Sequence, residues 1–236
     1  MKNVITCKNC NTENPYFSFI CSNCRSYLRE RVVNIDLWNT LGRLIESPAA
    51  AFSSIIHAEH KNFISLLYFL FSLKFFINIL IIADPVFKTV KVLEYTSWVF
   101  LISIIIPLAL ISFYSWLLSV SLKVFKVKTR FKDNFSILIY SLVPASLALI
   151  FFFPVELVLF GSAIFISNPS PFLLKPNPAY VMLSLECLMI LWSIVLSYFA
   201  LHSATRSKVF SIISSLIFHG LIISLMLVIT WLFSII

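Results

Sequence analysis

Residues 97–122 read SWVFLISIIIPLALISFYSWLLSVSL, a run of 26 residues without a single charge. As a helix rising about 1.5 Å per residue, it is long enough to cross a hydrocarbon core of about 30 Å. No water in that core can pair with a peptide group, so the run must satisfy its own backbone, as a helix does. Four more runs of similar character cover residues 62–83, 135–157, 179–202 and 209–235. The composition agrees: 60% of the 236 residues are hydrophobic and 12% are charged. A soluble domain has about 45–50% and about 25%. The expected fold class is an all-α polytopic membrane protein of five transmembrane helices.

The third run is harder to bound, because apolar sequence continues to Ile166. That stretch is long for one straight helix and short for two. Pro144 and Pro154 can kink it. One span followed by an interfacial or re-entrant piece, Val158–Ile166, is expected.

The first thirty residues differ in kind. They are polar and cysteine-rich, without the apolar core and cleavage site of a secretory signal. Cys7-Lys-Asn-Cys10 and Cys21-Ser-Asn-Cys24 form two C-x-x-C knuckles ten residues apart. Four soft thiolates at this spacing can share one tetrahedral metal ion. So short a segment buries too little apolar surface to fold alone, and a metal supplies the missing stability. The all-sulfur set points to structural Zn(2+), with iron as the weaker alternative. Two disulfides are the competing reading, and they require an oxidising compartment. Asn11 can take the left-handed backbone that a knuckle needs. Arg25, at the equivalent position, makes the second turn less ideal. Asn14-Pro15 reads as a turn between the knuckles. The segment resembles the short zinc-ribbon heads of bacterial membrane proteins, with Asn11 and Arg25 where those carry glycine. Cys187, alone in an apolar run, reads as a buried small hydrophobe.

Between head and membrane, residues 34–46 place Leu37, Trp38, Leu41, Leu44 and Ile45 on one helical face. Such a face suits the membrane interface or packing on the protein's own bundle. Ser47-Pro48 then restarts a helix, with Ser47 as N-cap. His57 and His60 read as polar-face residues. The expected domains are a head at 1–30, lead-in helices at 31–61 and a membrane domain at 62–236.

Basic residues orient the chain. Seven lie in the amino-terminal region through Lys61, five between Lys123 and Lys132, and two at Arg206 and Lys208. The opposite side holds Lys88, Lys91 and Lys175. The amino terminus and head are therefore expected in the cytoplasm and the carboxyl terminus outside, in a cell membrane of bacterial inner-membrane type.

Glu46-Ser-Pro-Ala-Ala-Ala-Phe52, before the first span, and Ile139-Tyr-Ser-Leu-Val-Pro144, in the third, resemble the Yip family of Ypt-interacting membrane proteins. The resemblance covers residues 37–235. It implies five spans and a non-enzymatic role in membrane organisation, trafficking or transport. The acidic-Leu-Tyr-Gly-Pro signature of eukaryotic members is absent, so Rab GTPase binding is not carried over.

A charge at the bilayer centre costs about 2.5–3.5 kcal/mol on insertion scales. Lys74 lies about 18 Å from the cytoplasmic edge, counting along its helix, and Glu186 about 10 Å from the outer edge. In a core of about 30 Å these depths nearly coincide. Lys74 with Glu186, joined by Glu156, is expected to form a buried cluster, and His219 an interhelical hydrogen bond. Phosphate-loop, dinucleotide, zinc-protease and nucleophile-elbow motifs are absent. No soluble basic face suggests nucleic-acid binding. The leading expectation is a non-enzymatic scaffold or adaptor that meets the lipid bilayer and a membrane or cytoplasmic protein, with a second copy of itself also open. The alternative is a transporter component using Lys74, Glu186 and Glu156.

Overall fold

The computed structural model describes residues 3–88 and 91–235. The outer limits expected for the head and the membrane domain, residues 1 and 236, lie outside them. Ten α-helices and two short strands are present among the described residues. Five helical stretches are long and apolar enough to cross a membrane: Ile64–Phe87, Thr96–Val124, Phe131–Phe165, Pro176–Thr205 and Lys208–Ile235. Each overlaps one of the five runs; the first begins at Ile64, just inside its run, and the third departs most, reaching from Phe131 to Phe165. We label the helices α1 (Leu37–Glu46), α2 (Pro48–His57), α3 (Ile64–Phe87), α4 (Lys91–Glu94), α5 (Thr96–Val124), α6 (Phe131–Ser141), α7 (Val143–Phe160), α8 (Pro171–Leu174), α9 (Pro176–Thr205) and α10 (Lys208–Ile235).

The third span is α6 and α7 with a 3-10 turn, Gly161–Phe165. The break falls at Leu142, next to Val143-Pro144, where proline cannot donate to the helical ladder. Pro154 sits inside α7 without interrupting it. The piece expected at 158–166 is thus divided: α7 runs on to Phe160, and only the residues after it leave the α-helix.

The chain forms two compact units. One combines Met1–Ser65, Ile111–Ser141 and Val195–Leu216. Its head pairs β1 (Val4–Thr6) with β2 (Glu13–Pro15) antiparallel, and a single bridge joins Ile20 to Tyr27. This is less sheet than a full ribbon. Asn14-Pro15 ends β2 and leads into the turn expected between the knuckles: Pro15 is its first residue, Tyr16-Phe17 its centre, and Ser18 N–H closes it on the Pro15 carbonyl at 2.9 Å. The Asp36 carboxylate caps α1, accepting from the Asn39 N–H at 3.0 Å. Ser47 is the N-cap of α2 and Pro48 lies in its first turn, as expected, although the Ser47 side chain makes no capping bond; Pro48 fixes φ and has no N–H to satisfy. The face of α1 is divided. Leu44 is buried, whereas Trp38 is 81% exposed and Ile45 65%. Phe52, Ile55 and Ile56 of α2 are buried, as are Ile137–Tyr140 of α6.

The other unit combines Leu66–Leu110, Leu142–Ile194 and Ile217–Ile236. Phe160, Ile164, Ala179 and Met182 form a small core there. Outward faces are apolar, as at Leu101, Ile105, Leu188 and Leu191. Exposure on this scale suits lipid contact. Cys187 shares that fate: it is exposed, not buried as its apolar run suggested, because an apolar membrane residue packs as well on lipid as on protein.

Glycine is scarce, so other residues take left-handed positions. Lys88, Lys126 and Arg206 adopt φ of 53°, 59° and 56° just past α3, α5 and α9. At α5 the Val127 N–H reaches back to the Leu122 carbonyl at 2.9 Å, closing a Schellman-type end. A cation at each of these ends also faces the negative pole of its helix.

Candidate metal centre and buried polar clusters

The two knuckles fold alike. Cys7 N–H donates to the Thr12 carbonyl at 3.0 Å, and Cys21 N–H to the Ser26 carbonyl at 2.9 Å. Asn11 N–H returns to the Cys7 carbonyl at 3.0 Å, and Arg25 N–H to the Cys21 carbonyl at 3.2 Å. Asn11 and Arg25 are both left-handed, with φ of 56° and 58°. Arg25 therefore adopts the same turn as Asn11 without glycine's freedom. The Sγ atoms of Cys7, Cys10, Cys21 and Cys24 all lie within 4.8 Å of one another.

Cys7 and Cys24 sulfurs stand 3.6 Å apart, as do those of Cys10 and Cys21. A disulfide needs about 2.05 Å. Four sulfurs about 2.3 Å from a tetrahedral zinc stand about 3.8 Å from one another. The donor set therefore fits a metal ion. Hydroxyls favour two of the four thiolates: the Thr12 side chain holds Cys10 down at about 5, and the Ser26 side chain lowers Cys7, whereas Cys21 is raised. Asn14, 1% exposed, ties the knuckles together: its Oδ1 accepts from Ser22 N–H at 2.8 Å and its amide donates to the Thr12 carbonyl at 2.9 Å. Asn-Pro is an ordinary turn signal, so local sequence does not reveal this role of Asn14.

Within the same unit the head is seated on helix ends. The Tyr16 hydroxyl meets Ser53 Oγ at 2.7 Å, and its ring lies 4.6 Å from that of His57. Arg206 sits over the Tyr16 ring at 5.1 Å and Arg130 over Phe17 at 4.6 Å. Arg29 donates to the Phe17 and His57 carbonyls, each at 3.2 Å. The Asn3 amide reaches the Ala204 carbonyl at 2.5 Å. Two adjacent aromatics in a polar, cysteine-held loop were the available signal for this seat.

His57 is part of it, not a plain polar-face residue. Its Nε2–H donates to the Tyr16 carbonyl at 3.2 Å. Burial, and then Arg29, push His57 down to about 4; Lys61 adds to this, while the Tyr16 carbonyl and Asp133 oppose it. The unfolded histidine takes its proton near pH 6.5 and the folded one resists until about 4. The stability from this group is therefore complete above about pH 6.5 and is lost as pH falls toward 4. Acidification from pH 7 to pH 4.5 is expected to loosen the seat, read as faster limited proteolysis between residues 12 and 31. His57→Phe should flatten that pH profile, and an unchanged profile would remove His57 from the account.

Lys61, one of the basic residues flanking the first span, is buried. Its ammonium meets Asp133 at 3.1 Å and donates to the Ile55 and Ile56 carbonyls at the end of α2. Arg130 binds the same carboxylate at 2.7 Å. Burial lowers Lys61 from its ordinary value, with Asp133 opposing. A Lys or Asp read singly gives no sign of such a partner 72 positions away.

In the second unit, Lys74 of α3 is 3% exposed and its ammonium lies 2.6 Å from Glu186 Oε1 on α9. Glu156 of α7 is buried too, and its Oε2 has no hydrogen-bond partner. His219 Nε2 lies 3.0 Å from Ser193 Oγ, joining α10 to α9. A cavity of about 90 Å³ is lined by Lys74, Asn78, Glu186, Ser193 and His219 among apolar side chains.

The family model described as "Yip1: Yip1 domain" matches residues 42–232. No curated protein and no solved structure matches the chain.

Proposed function

This chain belongs to the Yip1 domain family, and we propose that it works as a non-enzymatic scaffold or adaptor. It is a multi-pass membrane protein with five membrane-capable helices and four cysteines that could hold a metal ion. In our reading the metal is zinc, bound by Cys7, Cys10, Cys21 and Cys24 as thiolates. Zinc there would be structural, because four protein sulfurs leave no open coordination position.

The observation that carries the proposal is the seat of the Tyr16-Phe17 turn on α2, Arg130 and Arg206. It fixes the head instead of leaving it on a tether. Tyr27, 75% exposed, and Ile20, 47% exposed, then project from a fixed base. We assign this patch to a protein partner. A photo-crosslinking residue at Tyr27 should give a discrete protein adduct in native membranes, and one at lipid-facing Leu191 should not. Absence of an adduct at Tyr27, or equal adducts at both, would contradict the adaptor role. The transporter alternative is not favoured, since Lys74 and Glu186 spend their charges on each other.

The distribution of basic residues supports a cytoplasmic amino terminus. A reporter fused to the carboxyl terminus is expected on the far side of the membrane. A cytoplasmic signal would overturn that topology.

A further inference from the structure

The second span ends, and the fifth begins, on the same side of the bilayer, as any five-span count requires. Phe125, just past α5, and Phe210, in the first turn of α10, meet edge to face at 6.1 Å. This contact gathers two short segments, Lys123–Lys128 and Lys208–Phe210. Lys123, Lys126, Lys128 and Lys208 are all exposed. Among the described residues none of these four ammonium groups has a carboxylate within ion-pair distance. The nearby Asp133 is already held by Lys61 and Arg130.

Between the lysines stand exposed apolar side chains: Val124 at 77%, Val209 at 68% and Phe125 at 47%. Free cations alternating with free hydrophobes, at the point where helices leave a bilayer, match two layers of one ligand. Phosphate meets the ammonium groups, and the acyl boundary meets the hydrophobes. Val127, within the same segment, is by contrast buried at 1% exposed.

We infer that Lys123, Lys126, Lys128 and Lys208 bind the phosphates of anionic phospholipid headgroups, with Val124, Phe125 and Val209 set into the acyl boundary. This names a lipid partner for the scaffold, and it rests on the five-span reading but not on the protein partner of the head. A basic residue near an anionic membrane surface contributes about fivefold in affinity. Such binding is screened by salt.

The test uses the full chain in neutral detergent, titrated with phosphatidylglycerol or phosphatidylcholine and followed by native mass spectrometry. Wild type is expected to prefer phosphatidylglycerol at least tenfold at low salt, less at high salt. The variant Lys123→Gln, Lys126→Gln, Lys128→Gln, Lys208→Gln should lose that preference and keep its phosphatidylcholine binding. Replacing the same four residues by Arg should retain the preference, which excludes misfolding as the cause. Lys88→Gln with Lys175→Gln, on the opposite side, should leave it unchanged. Three results would overturn the site: no preference in wild type, a preference retained by the Gln variant, or one lost in the opposite-side control. If a protein adduct at Tyr27 fails to form while the lipid preference holds, the adaptor reading falls and the lipid site stands.

Discussion

Lys74→Met is expected to destabilise the protein by about 3 kcal/mol, measured as denaturant unfolding in micelles. Breaking a buried ion pair by removing one partner costs about 3–5 kcal/mol, because the other charge stays behind. The lower end applies here, since the Glu186 side chain is 20% exposed while that of Lys74 is 4% exposed. The remaining carboxylate must stay unpaired or take a proton. Lys74→Met with Glu186→Gln should recover much of the loss, giving a coupling of about 1–3 kcal/mol in the double-mutant cycle. Glu156→Gln should cost less than Lys74→Met, because Glu156 Oε2 has no hydrogen-bond partner. Strict additivity of Lys74→Met and Glu186→Gln would show that the pair contributes nothing.

The second large effect is expected at the head. Cys24→Ser removes one of four clustered sulfurs. Structural zinc sites contribute about 10–16 kcal/mol of apparent binding free energy in small metal-folded domains, so most of the head's folding energy goes with it. Elemental analysis should fall from one zinc per chain to none. Protease should then cut between residues 7 and 28 while the spans remain intact. Purified wild type without metal, folded and carrying intact disulfides, would defeat the zinc reading.

The five spans were legible because each apolar run outlasts the bilayer thickness, and length with hydropathy is a local property. Cys7, Cys10, Cys21 and Cys24 were legible because spacing alone brings the sulfurs within one coordination sphere. Lys74 and Glu186 could be paired by counting depth along their helices, since a membrane reduces a three-dimensional question to one coordinate. The same counting could not reach Lys61 and Asp133. Both lie at helix ends, where a charge is ordinary and sequence does not reveal burial. It also failed for Cys187, because hydropathy does not say which face of a span meets lipid and which meets protein. Trp38 and Leu44 share one apolar stripe but not one fate, as the stripe of α1 is wider than the surface it packs on. Tyr16 and Phe17 were passed over for a related reason. The adjacent aromatics signal that the turn packs on something, but nothing local names Ser53, Arg130 and Arg206, which come from distant parts of the chain.

We propose that a metal holds the head together and that the head, seated on α2 and on the ends of α6 and α9, steadies those helices. Hydrogen–deuterium exchange on the full chain, before and after chelation, tests it directly. Chelation should raise exchange in residues 3–31 and also in 53–61, 128–134 and 202–208, which the head contacts. A rise confined to residues 3–31, with the helix ends unchanged, would mean that the head is a free appendage, and the claim would be wrong.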